Sequence, residues 1–112
     1  MSNSAWKVFD IDELRGRLTG ARVEYKEFLR SPALSCGIYF LAQGARDMQT
    51  PHDEDEVYYV LSGKARMRLG DVEREVTAGS VLFVEATTEH SFFEIEEDMT
   101  LLVFFAAALK GD

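Results

Sequence analysis

One cysteine, Cys36, stands among 112 residues, so no disulfide can form within the chain. That suits a reducing compartment, and the expected location is the cytoplasm. Histidine is nearly as scarce: His52 and His90 are the only two, so any site built on imidazole is built from them. Positive charge is also in deficit, with 12 Lys and Arg against 20 Asp and Glu and a net charge of −8. Such a balance disfavours phosphate backbones and anionic membrane surfaces as partners and favours cations. Long apolar runs are missing too. The longest, Leu101 to Leu109, has nine residues, well short of the ~20 that span a bilayer. Met1 to Lys7 lacks the apolar run of a signal peptide. There is no internal repeat, low-complexity tract or linker, and the glycines form no phosphate-cradling motif.

What the chain does have is core material. Hydrophobic residues make up 46 % of it, including eight Phe and four Tyr, enough for one domain over 1–112 with one core. Residues 1–20 read as an arm with a short helix from Asp10 to Leu18. Ile11, Leu14 and Leu18 share a face, Asp10 or Asp12 can cap the start, and Gly20 ends it. From 21 to 109 the pattern is that of strands. Val57, Tyr59 and Leu61 alternate with Glu56, Tyr58 and Val60; Gly63-Lys64 reads as a tight turn; Ala65, Met67 and Leu69 alternate with Lys64, Arg66 and Arg68. Gly70-Asp71 turns again before Val72 to Val76, and Val81 to Val84, Ser91 to Ile95 and Thr100 to Leu109 complete about eight or nine short strands. Turn signals every eight to twelve residues predict an all-β antiparallel sandwich or barrel. Val81 to Val84 and Leu101 to Phe105 have no polar face. A strand apolar on both faces needs cover on both sides, and a second subunit, hence a homodimer, is the expected outer cover.

The segment Pro51 to Gly63 is the most informative. His52 precedes an acidic turn, Asp53-Glu54-Asp55, and Glu56 opens a strand rich in aromatic and β-branched residues. His90 follows some thirty residues on, after a glycine-started apolar strand. Two imidazoles and a carboxylate on neighbouring strands are what a divalent metal in a β-barrel requires. Glu56 shares its strand face with Tyr58 and Val60, so its carboxylate points into an apolar cavity, where a bare charge is costly and a bound cation reverses that cost. The alternative stays open: an acidic solvated turn with an incidental histidine, and a hydrogen-bonded structural His90. Asp53 and Asp55 read as solvated turn carboxylates. Tyr25, Tyr39 and Tyr58 can line a pocket or simply fill the barrel. Cys36, with no neighbouring histidine, reads as a small core residue. Lys64, Arg66, Arg68 and Arg74 form a solvated basic patch on one hairpin.

The chain resembles a single-domain cupin of the conserved-barrel type, in the RmlC-like superfamily. The family's first motif runs Gly, a short gap, His-x-His, three or four residues, Glu, six residues, Gly. Gly44, His52, Glu56 and Gly63 match it, with three residues between His52 and Glu56 and six between Glu56 and Gly63. In the second motif Gly79 and His90 hold their places, while Glu85, Thr87 and Glu94 stand where the family has Pro, Gly and Asn. The two motifs and the strands around them span Tyr39 to Phe105. The resemblance implies a jelly-roll barrel, the double-stranded β-helix, with His52, Glu56 and His90 as ligands of a divalent metal such as Zn, Fe, Mn or Ni. The family's first histidine is replaced by Thr50, and Glu54 or Gln49 are the candidates to supply a further oxygen. Zinc would lie about 2.0–2.2 Å from such ligands. The pocket is expected among Tyr58, Tyr39, Met67, Phe83, Phe92 and Phe104; no catalytic residue can be named. Family membership leaves the function broad: a metal-dependent dioxygenase, isomerase or lyase acting on a small organic molecule, or a non-catalytic binding or regulatory barrel with a degenerate metal site. A purely structural dimer partner is the third reading.

Overall fold

The computed structural model describes residues 5–47 and 52–107. One helix, α1 (Ile11–Gly16), precedes six strands: β1 (Val23–Arg30), β2 (Leu34–Leu41), β3 (Glu56–Leu69), β4 (Val72–Thr77), β5 (Val81–Val84) and β6 (His90–Ala106). The helix is shorter than expected at both ends. Asp10 is its N-cap, in extended conformation and without a side-chain cap bond, and Arg17 already closes it. Gly20 therefore belongs to the following loop, with φ +97°.

The strands are joined antiparallel in the order β1-β2-β6-β3-β4, with β5 also on β3. Mostly antiparallel strands wrapped into a double-stranded β-helix are the jelly-roll expected from the sequence. The count differs, because β3 and β6 each run unbroken through a place where a turn or break was expected. At Gly63 the chain does not turn back. It takes φ +103° and shifts register against β6 between Val60 and Lys64. A Cβ there would run into the Asp98 carbonyl, so the glycine marks a bulge at which two backbones approach closely.

Directly opposed residues share a face of a sheet, so the register sorts side chains into rows. Three rows point inward. The first is Tyr25, Tyr39, Leu101 and Val60; the second Glu27, Gly37, Val103, Tyr58 and Leu82; the third Arg30, Ser35, Phe105, Glu56 and Val84. Beyond them Met67, Ala65, Phe92, Ile95 and Met99 fill the rest of one apolar core. Two rows point outward: Cys36, Phe104, Val57 and Phe83, and Ile38, Leu102, Tyr59 and Val81. Their β2 end is buried, at Cys36 and Ile38, whereas their β5 end is open, with Val81 68 % and Phe83 62 % exposed. The N-terminal arm packs on β1 through the Phe9 and Phe28 rings, 4.9 Å apart. No described helix is long and apolar enough to cross a membrane.

Candidate metal centre

Glu56 is the first residue of β3 and His90 the first of β6. Both side chains are almost wholly buried, and His90 Nε2 lies 2.9 Å from Glu56 Oε1. His90 Nδ1 lies 2.8 Å from the Thr88 carbonyl oxygen, which fixes the ring's tilt. Burial opposes a charge on His90, but the bonds to Glu56 and Thr88 and the nearby charge of Glu56 and Asp47 outweigh it and hold its pKa above the ordinary value. His52 completes the group from the loop before β3. Its ring lies 5.9 Å from that of His90 and meets the edge of Phe105 at 5.2 Å.

The two ligand-bearing loops are tied together by backbone. Thr87 N–H donates to the His52 carbonyl at 2.6 Å, and Ala86 N–H donates to Asp55 Oδ1 at 2.8 Å. Asp55, read from sequence as a solvated turn carboxylate, is thus a staple between the loops. One ligand atom from each of His52, Glu56 and His90 falls within 4.8 Å of the other two, so these three could hold a metal ion. The donor set fits a borderline divalent cation, and Glu56 Oε2 is buried with no hydrogen-bond partner among the described residues. A buried carboxylate oxygen without a partner is rare and costly, and a cation at that point satisfies it.

The group opens on a cavity of about 780 Å³. Glu54 lines it but lies outside the three-residue group, and Gln49 and Thr50 are outside the described residues. Of the expected pocket residues, Tyr58 and Tyr39 line the cavity. Phe83 and Phe104 do not, because alternation along β5 and β6 turns them to the outward rows. Met67 and Phe92 point inward but are packed in the core away from the cavity, where β3 and β6 pair beyond the Gly63 bulge.

Other residues of the site carry no motif. Asp47 is buried and accepts the Tyr39 hydroxyl at 2.6 Å and the Phe92 N–H at 2.8 Å. Burial and then Asp47 push the Tyr39 phenol well above its usual range. Tyr25 lines the cavity from β1, and burial followed by the charge of Glu27 pushes it up to about 12. Phe105 stands between Tyr25 and His52, and at the mouth Arg30 makes a two-pronged pair with Glu27. Burial also raises the Cys36 thiol, in keeping with an inert core residue. Phe105 hides in a stretch apolar on both faces, and nothing in the sequence around Asp47 sets it apart.

Residues 37–105 match the family model described as Cupin domain. The chain belongs to the cupin family. It is 41 % identical over 100 residues to Uncharacterized protein SCO3923 of Streptomyces coelicolor, covering 89 % of this chain and 95 % of that one. Among solved structures it resembles TT1209 from Thermus thermophilus, with a TM-score of 0.75, 25 % identity, and 91 % and 98 % of the two chains covered. It also resembles an RmlC-like cupin from Shewanella frigidimarina, with a TM-score of 0.69, 21 % identity and 81 % of each chain covered. Both likenesses support the barrel fold. In this cupin Glu56 and His90 form a buried pair.

Proposed function

We propose that this cupin holds a divalent metal between His52, Glu56 and His90 and binds a small organic molecule in the cavity beside it. The observation that carries the reading is the Glu56 carboxylate. One oxygen faces His90, the other is buried without a partner among the described residues, and His52 is within ligand reach of both. A bound divalent ion supplies a Lewis acid that polarises an oxygen of the bound molecule. The chain's own contribution is to orient: Thr88 fixes the His90 ring, Asp47 aims the Tyr39 hydroxyl, and Phe105 backs His52. The metal is one of Zn, Fe, Mn and Ni, whose donor preferences overlap at such a site.

Elemental analysis of protein purified without chelators tests this. Near-stoichiometric metal is expected, falling more than tenfold in Glu56→Ala and His90→Ala; wild-type occupancy below about one-tenth after soaking with each metal ends the reading.

A non-catalytic binding barrel is the second reading. It is favoured by the Glu56–His90 contact, in which the two side chains partner each other directly. Small-molecule turnover lost in Glu56→Ala supports the enzyme, and tight binding of a metabolite without turnover supports the module. We further propose that a second copy covers the open outer rows at β5, that the unit is one domain, and that the free, buried Cys36 suits the cytoplasm.

A further inference from the structure

Gly37 is the one position without a side chain in the second inward row, between Glu27 and Val103. Its backbone does not demand glycine, since it is not among the positive-φ residues. Its space is taken instead by Tyr25: a Cβ on Gly37 would run into the Cζ, Oη and Cε1 atoms of that ring. The missing side chain lets the Tyr25 phenol lean out of its own row, beside Tyr39, into the row next to Phe105 and Glu56. The rings of Tyr39, at 6.1 Å, and Phe105, at 6.3 Å, hold it by their edges. Phe105 in turn meets His52. Tyr25 is thus an oriented hydroxyl on the cavity wall, part of a continuous aromatic face that ends at the ligand group.

We infer that Tyr25, leaning over Gly37, recognises the ligand of this pocket by donating its hydroxyl proton to an anionic oxygen of a small carboxylate or enolate. The inference rests on the metal reading above. Two neutral imidazoles and one carboxylate under a divalent cation leave one positive charge, which an oxygen anion matches. A phenol beside it is a donor for that charge. Glu27 is already matched by Arg30, while Glu54 adds a negative charge to the wall. That combination favours a compact monoanion over a polyanion.

The test uses cobalt(II)-loaded full-length protein and acetohydroxamate, a small oxygen chelator, followed by the visible absorption of the metal. Wild type is expected to bind the probe. Tyr25→Phe keeps the ring and is expected to weaken binding about tenfold or more, with cobalt content and thermal midpoint unchanged. Gly37→Ala pushes the phenol aside and is expected to do the same. Tyr59→Phe, on the outward face, should match wild type. Equal affinity in wild type and Tyr25→Phe, or no binding of the probe to cobalt-loaded wild type, overturns the role of Tyr25 and leaves the metal reading standing. Failure of wild type to retain cobalt overturns the inference, and failure to retain Zn, Fe, Mn and Ni as well overturns the metal reading with it. Should Gly37→Ala not fold, Tyr25→Phe decides alone.

Discussion

Among the described residues, two that are not glycine carry a backbone conformation that their side chains resist. Thr87 has φ +67° and Glu94 φ +47°. The left-handed region costs an ordinary L-residue about 1–2 kcal/mol, and a β-branched one suits it least. These are the positions where the family motif places glycine and asparagine, the residues that tolerate such a backbone. In that conformation the Thr87 N–H reaches the His52 carbonyl. Thr87→Gly is therefore expected to raise stability by about 1 kcal/mol or somewhat less, because the freer unfolded chain takes back part of the gain. Urea unfolding measures it. A loss of stability instead would show that the threonine side chain, whose Oγ1 bonds the Ala86 carbonyl at 2.6 Å, contributes more than its backbone costs.

The long strands matter at the scale of elements. β3 carries Glu56 at one end and the hairpin to β4 at the other, and it pairs with β6 on both sides of the Gly63 bulge. The bulge separates the cavity end of the barrel from the packed end, which is why Met67 and Phe92 are core while Tyr58 reaches the cavity. A Cβ at Gly63 meets the positive φ and the Asp98–Met99 backbone together. Gly63→Ala is expected to destabilise the fold by about 3 kcal/mol. Gly70→Ala, at φ +62° with open space around it, should lose only about 1 kcal/mol. Equal losses in thermal or urea melts would mean that the close approach at Gly63 contributes nothing. The ion pairs on the β3–β4 hairpin, such as Arg68 with Glu73, are solvent-exposed and are expected to add little.

For the whole molecule the open question is what lies over β5. Tyr59, Val81, Phe83 and Phe104 form an apolar strip on a chain whose net charge of −8 otherwise keeps it dispersed. If a second copy covers it, light scattering gives a dimer for wild type and a monomer for Phe83→Glu, with the metal content of both unchanged. A wild type that stays monomeric into the millimolar range would refute that association.

Sequence by itself determined the fold class and the three candidate ligands. Period-two alternation and regular turn signals are local properties of the chain, and His52, Glu56 and His90 stand out because there are two histidines and one motif spacing to fit. It also separated inward Glu56, Tyr58 and Val60 from outward Val57 and Tyr59, since neighbours on a strand must face opposite ways. Tertiary structure decided the rest. A glycine reads alike in a turn and in a bulge, so only the approach of β6 told which Gly63 is. Where both faces of a strand are apolar, alternation has no contrast, and Phe83 and Phe104 could not be told from Phe105 until the register was fixed. Asp47 and the lean of Tyr25 over Gly37 join residues on different segments, and such contacts exist only once the barrel has closed.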